Sequence, residues 1–191
     1  MLLIGENLNV ISKKTANALK QKDASTIKEM ALAQADAGMD MIDINLGPAR
    51  KDGPELMEWV VKTVQDVVDL PLSLDTTNID AIEAGLKVHR GKALINSISA
   101  RPERIEALMP LAKRYDAGFI GLMLGTDGIP RDANERGFLA AQIMAEAANY
   151  GIPEEDIWLD PIVLPINSQQ IQVQGCTEFV MMLTELAPNS K

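Results

Sequence analysis

The sequence predicts a parallel α/β fold, and three features carry that reading. Short apolar segments alternate with amphipathic ones six times along 191 residues. Proline and glycine punctuate the junctions, where they stop helices and open strands. All but one of the apolar segments end on polar side chains, always at the same end. Alternating strand and helix requires crossover connections, which give a parallel sheet with helices outside it. Two architectures meet this pattern, an open doubly wound sheet and a barrel. A complete eight-stranded barrel takes about 250 residues, so six units in 191 residues match the first three-quarters of one. No linker or low-complexity stretch divides the chain, and residues 1–191 read as one domain.

The elements follow in order. Residues 2–6 are short and apolar and read as the first strand, with a polar-punctuated turn at 7–10. Residues 23–37 read as a helix, with Ile27, Met30, Ala31 and Gln34 at helical spacing, Asp23 or Ser25 as cap, and Gly38 as stop. Residues 41–45 alternate apolar and polar, as a strand does, and end at Asn45. Leu56 to Val68 is amphipathic, with Leu56, Val60 and Val64 on one face. Residues 71–75 form a strand that opens on Pro71 and stops at Asp75, and Thr77 or Asn78 caps the helix after it. Residues 93–97 and 118–124 are the fourth and fifth strands; Pro102 lies in the first turn of the helix between them, which runs to about Tyr115. Asp132 or Asn134 opens a helix to Asn149, residues 157–160 are the sixth strand, and residues 177–186 close the chain as a helix.

Composition narrows the function. The formal charge of −9 disfavours nucleic acid, which needs a basic face, and 4% aromatic residues leave few platforms for base stacking. No apolar run approaches the roughly 20 residues of a membrane span. The N-terminus lacks a basic and apolar leader, and the single cysteine, Cys176, can build neither an internal disulfide nor a cysteine metal site. These features point to the cytoplasm.

The strand ends read Glu6 with Asn7 and Asn9, then Asp43 and Asn45, then Asp75, then Asn96 and Ser97, then an apolar Met123-Leu124, then Asp160. One Asp before a helix is more often a cap than a ligand residue. Polar groups ending most of the buried strands at one end indicate a shared polar cavity, because such groups are costly unless paired or solvated. Carboxylates accept two N–H bonds side by side, and an amide answers a carbonyl and a ring N–H. A flat heterocycle with an amino–imino edge, guanine-like or pterin-like, needs that set. Mg²⁺ is the competing occupant, ranked lower because amides are interleaved with one carboxylate per strand. His89 sits in a basic loop and reads as a solvated surface residue; Met123 reads as core or ligand contact, Cys176 as a small buried side chain. Residues 125–128 read as a turn, not a phosphate loop.

These residues resemble the methyltetrahydrofolate:corrinoid methyltransferases, within the larger pterin-binding family that includes dihydropteroate synthase and the folate domain of cobalamin-dependent methionine synthase. The resemblance is carried by Ile4-Gly5-Glu6-Asn7-Leu8-Asn9, Asp43-Ile44-Asn45-Leu46-Gly47-Pro48-Ala49, Leu74-Asp75-Thr76-Thr77-Asn78 with residues 81–86, Ile95-Asn96-Ser97, Gly128-Ile129-Pro130 and residues 159–165. It implies a (β/α)8 TIM barrel, covered here through six strand–helix units, with the seventh and eighth strands expected beyond Lys191. It implies that Asp75, Asn96 and Asp160 hydrogen-bond the pterin, with Asn9, Asp43, Asn45 and Ser97 at adjoining substrate positions. The implied reaction moves a methyl group between N5 of tetrahydrofolate and the cobalt of a corrinoid (cobalamin) carried by a partner protein, with no metal of the enzyme's own. The asparagine that approaches N5 is expected after Lys191, and a homodimer is expected. Asn7 stands where some relatives carry Arg. Arg50, Lys51, Arg101 and Arg131 follow strand ends and are candidates for the anionic glutamate tail of a folate. The alternatives are a dihydropteroate synthase-like enzyme, a non-catalytic pterin- or corrinoid-protein-binding module, and a metal-dependent aldolase or lyase.

Overall fold

The structure is a computed structural model that describes residues 1–48 and 51–191. It contains two compact units, Met1–Asn96 with Tyr115–Ala117, and Ser97–Arg114 with Gly118–Lys191.

The first unit runs β1 (Ile4–Asn9), α1 (Lys13–Gln21), α2 (Ala24–Asp36), β2 (Met41–Gly47), α3 (Gly53–Gln65), β3 (Leu72–Thr76), α4 (Ile79–Val88) and the start of β4 (Leu94–Ser99). Its strands are parallel and lie side by side in chain order. The period-two pattern of β2 and β3 explains the packing. Ile42, Ile44, Leu46, Leu72 and Leu74 are buried, and so is the stripe Leu56, Met57, Val60, Val61 and Val64 on α3. Each such side chain contributes about 1.5–3 kcal/mol relative to exposure. Asn78 caps α4 by accepting from Ala81 N–H, and Asp23 caps α2 by accepting from Ser25 and Thr26 N–H.

The second unit holds the end of β4, then α5 (Pro102–Arg114), β5 (Gly118–Leu122), α6 (Ala133–Asn149), a 3₁₀ turn (Glu154–Asp156), β6 (Ile157–Asp160) and α7 (Gln170–Leu186). β5 and β6 are parallel, with Leu122 in register with Asp160. Asp132 caps α6 by accepting from Glu135 N–H. Phe119, Ala140, Ile143, Ala147, Leu159 and Phe179 form its core.

Among the departures from the sequence expectation, three have a clear physical cause. Helix α1 is absent from it because Lys13–Gln21 is mostly polar and buries only Thr15, Ala18 and Leu19. β1 continues to Asn9 instead of turning at Asn7, because an irregularity between Gly5 and Leu8 lets the exposed Glu6 and Asn7 ride inside the strand. α7 begins at Gln170, not Thr177; its first turns bury little until Gly175 and Cys176, so the apolar pattern starts late. Among the described residues no helix is long and apolar enough to cross a membrane.

His89 departs from the surface role expected of it. It is half-buried, and its Nε2 accepts the Leu72 N–H at 3.2 Å, the first amide of β3. The ring proton therefore sits on Nδ1, which donates to Gly91 O at 3.2 Å. Burial first, and Arg90 after it, hold the imidazole pKa below its ordinary value. Protonation would remove the lone pair that receives Leu72. The neutral ring's contribution to stability is thus present above the unfolded value of about 6.5 and is lost as pH falls through the lower folded value. His89→Ala should cost about 1–3 kcal/mol by urea unfolding at roughly pH 8, and the gap between variant and wild type should narrow by roughly pH 5.

Candidate functional site

Strand register builds the site. Asn9 is in register with Asn45, Asn45 with Asp75, and Asp75 with Asn96. In-register residues of parallel strands face the same side, so these four side chains form one polar row across β1 to β4. The neighbouring row, Leu8, Ile44, Leu74 and Ile95, is apolar and buried. Asp43 and Ser73, also in register, lie two residues earlier on the polar side.

Hydrogen bonds knit the row. Asn45 donates from Nδ2 to Asp75 Oδ2, and its Oδ1 accepts the Gly47 N–H at 2.8 Å. Gly47 has φ 70°, a left-handed backbone that glycine takes without strain, and its carbonyl accepts from Thr76 Oγ1 at 2.8 Å. The turn therefore fixes which way the Asn45 amide is aimed. Asp43 Oδ1 accepts from Ser73 Oγ at 2.6 Å and from Asn96 Nδ2 at 3.1 Å. Asn9 instead turns back on its own loop, accepting from Ile11 N–H at 2.9 Å.

The electrostatics are unusual. Asp43 and Asp75 approach each other with amides and a hydroxyl between them, and among the described residues no cation pairs with either. Burial, reinforced by the charges of Asp43 and Glu6, pushes the Asp75 pKa up to about 7, against the opposing bond from Asn45. Burial also raises Asp43, opposed by the bonds from Ser73 and Asn96. A carboxyl that titrates near neutrality is ready to be ionised by a ligand that brings N–H donors. No group of three His, Cys, Asp or Glu side chains is placed to hold a metal ion among the described residues. A separate groove of about 340 Å³ lies beside β1, lined by Glu6, Asn7, Asn9, Ser12 and Lys14 together with Met30 and Ala33 of α2.

Of the residues expected to bind substrate, Asp43, Asn45, Asp75 and Asn96 lie on one face of β2 to β4 in two hydrogen-bonded sets, Asn45 with Asp75 and Asn96 with Asp43, and Asn9 is in register with Asn45. Asp160 and Ser97 belong to the second unit. There Asp160 is half-buried at the end of β6, and its Oδ1 accepts the Ile162 N–H at 2.8 Å. The Ser97 carbonyl accepts from Arg104 at 3.2 Å. Met123 is fully buried, on the core side of its two readings. The same unit has a cavity of about 700 Å³ lined by Gly125, Thr126, Asp127, Arg131, Glu135 and Phe138, among others. Of the basic residues considered for a folate tail, Arg50 lies outside the described residues and Lys51 is exposed. Arg101 donates to Gly125 O at 3.2 Å, and Arg131 is paired with Glu135. Ser73 was not among the expected residues, although it lies two positions before Asp75 and so on the same face.

The pterin binding enzyme family matches residues 5–183, most of the chain. The chain belongs to that family. Among its relatives, a methylcorrinoid:tetrahydrofolate methyltransferase of Eubacterium limosum is 28% identical over 171 residues, which are 88% of this chain and 63% of the relative. A methionine synthase of Mycobacterium tuberculosis is 26% identical over 177 residues, 89% of this chain and 15% of that protein. The chain thus spans less than two-thirds of either relative. Among solved structures, dihydropteroate synthase from Xanthomonas albilineans in complex with 7,8-dihydropteroate aligns with TM-score 0.66 at 19% identity, covering 98% of this chain and 67% of that one. The same enzyme with indole-2-carboxylic acid and 6-chloroguanine aligns with TM-score 0.61 at 18% identity, over 97% and 66% of the two chains. The likeness bears out the α/β barrel class, of which the chain spans six strand–helix units.

The raised Asp75 pKa has a stability consequence in the free protein. Between the ordinary carboxylate value and about 7, the unfolded chain releases the proton that the folded chain keeps. Stability therefore falls as pH rises through that window. Asp75→Asn should stabilise the free protein at roughly pH 8 by about 1 kcal/mol once solvent screening is discounted, a Tm rise of roughly 2–4 °C, and the gain should vanish by roughly pH 4. Thermal unfolding of wild type and variant across that range checks it.

Proposed function

We propose that the protein is a methyltransferase acting on tetrahydrofolate, working with a corrinoid protein in the cytoplasm as a homodimer. The observation that carries the reading is the row Asn45, Asp75 and Asn96, with a carboxyl near neutrality and no cation to answer it among the described residues. The Eubacterium limosum relative supports the choice of reaction.

In this reading Asp75, ionised, accepts adjacent N–H groups of the pterin edge, and Asn96 answers a ring carbonyl and N–H. Asn45 keeps one Asp75 oxygen occupied, and among the described residues the other oxygen, Oδ1, has no protein donor and is left for ligand. Asp160 is the third pterin ligand. The methyl group moves between N5 of the folate and the cobalt that the partner's corrinoid supplies. Methyl on N5 leaves poorly unless that nitrogen is protonated or hydrogen-bonded as transfer proceeds. Such help acts in the transition state, where charge shifts, more than in the bound ground state.

Titration of tetrahydrofolate and methyltetrahydrofolate into the intact protein tests the binding. Asp75→Asn and Asp160→Asn should each lose one charge-assisted bond, on the order of 1.5–3 kcal/mol, and Asn96→Ala should weaken binding as well. Wild-type affinity should rise with pH through about 7 as Asp75 ionises, and Asp75→Asn should lose that slope. Unchanged affinity in both Asp variants would remove the pterin edge assignment. Methyl transfer from methyltetrahydrofolate to free cob(I)alamin, set against dihydropteroate formation, separates this reaction from a synthase.

A further inference from the structure

Arg136 is a charged side chain in the wrong place by ordinary rules. It is fully buried in α6, close to that helix's N-terminus, where the macrodipole disfavours a cation. Among the described residues no carboxylate is ion-paired with it. Its partners are neutral: Nε donates to Pro161 O at 2.9 Å, Nη1 to Asp132 O at 3.1 Å, and Nη2 to Gln172 Oε1 at 2.7 Å. α7 leaves room for it through Gly175, where a Cβ would lie 3.2 Å from Nη1 and 3.5 Å from the Asp132 Cα. Burying a guanidinium with no ion-paired carboxylate, only the longer-range charge of Glu135, costs stability, whereas its planar fork fixes several acceptors at once. The arrangement suits geometry better than it suits stability.

The geometry it fixes is the turn after β6. Ile162 has φ 61°, a left-handed backbone that a β-branched residue adopts only when its surroundings compel it. Its N–H is bonded to Asp160 Oδ1 at 2.8 Å, and its carbonyl faces the Cys176 thiol at 3.5 Å. The same thiol lies 3.8 Å from the Pro161 carbonyl that Arg136 holds. Both carbonyls of the turn are thus gripped from α6 and α7. The carboxylate at its head has one oxygen fixed, and the other has no protein donor among the described residues.

We infer that Arg136 and Cys176 are positioning residues for Asp160: they hold the strained 160–162 turn so that one carboxylate oxygen is tied to Ile162 and the other is presented to ligand N–H groups. The inference rests on the proposed role of Asp160 as a pterin ligand. Neither residue touches the ligand; each acts through the turn.

The test uses the intact protein, with tetrahydrofolate as probe in calorimetric titration and amide exchange of Ile162 by NMR. Arg136→Lys and Cys176→Ala should each weaken tetrahydrofolate binding roughly 5- to 30-fold, the factor that goes with about 1–2 kcal/mol. Both should speed Ile162 exchange. Adding Asp160→Asn to either should cost less than it does in wild type, because the carboxylate is already misplaced. Folded variants with wild-type affinity, or losses that simply add to that of Asp160→Asn, would overturn the inference. If Arg136→Lys does not fold, Cys176→Ala and Gln172→Leu decide the matter by the same readings. A wild-type protein that fails to bind, or an Asp160→Asn variant that binds as wild type does, sinks the pterin role of Asp160 itself. Loss on Asp160→Asn with no loss on the supporting variants sinks the positioning alone.

Discussion

A carboxylate buried next to another carboxylate, with amides in place of a cation, is the constraint on which the structure of the site depends. Asp75 and Asp43 would ordinarily be separated, neutralised or paired with Lys or Arg. Here Asn45, Asn96 and Ser73 donate to them instead, and these bonds only partly offset burial and the neighbouring charges, which hold the Asp75 carboxyl near neutrality. That is a poor arrangement for the free protein and a good one for a ligand edge made of N–H donors. Stability given up at a site of this kind is a recurrent cost of function.

The constraint reaches back into the fold through register. A shift of one residue between β2 and β3 would send Asp75 among the helices and bring Leu74 into the polar row, so the apolar alternation of Ile42, Ile44, Leu72 and Leu74 secures the chemistry as well as the core. The Gly47 turn finishes the work by orienting Asn45. In the second unit Asp160 is held by different means. There a strained turn, a buried guanidinium and a thiol surround Asp160. One carboxylate is set by sheet register and the other by side chains reaching from two helices.

Much of this was legible in the sequence where local rules and tertiary structure agree. The strand that stops at Asp75, the Asn78 and Asp132 caps, and β6 over residues 157–160 all follow from period, punctuation and capping chemistry. The polar strand ends were visible as a set. What escaped were features set by partners distant in sequence. α1 has too few apolar residues to announce itself, and α7 buries little before Gly175. His89 lies among Lys and Arg, and only its approach to Leu72 reveals that it caps a strand. Arg136 occupies the buried stripe of α6 between Ala133 and Ala140, and a basic residue at an apolar spacing was the one available sign of its role. Register itself, which puts Asn9, Asn45, Asp75 and Asn96 in one row, cannot be read from any single strand.

The most direct test of the central claim is the titration of the Asp75 carboxyl, followed by ¹³C NMR in the free protein and at saturating tetrahydrofolate. The account requires a value of about 7 in the free protein and a marked fall when ligand N–H groups take the place of the missing cation. An ordinary carboxylate value in the free protein, or one that does not move when the folate binds, would contradict it.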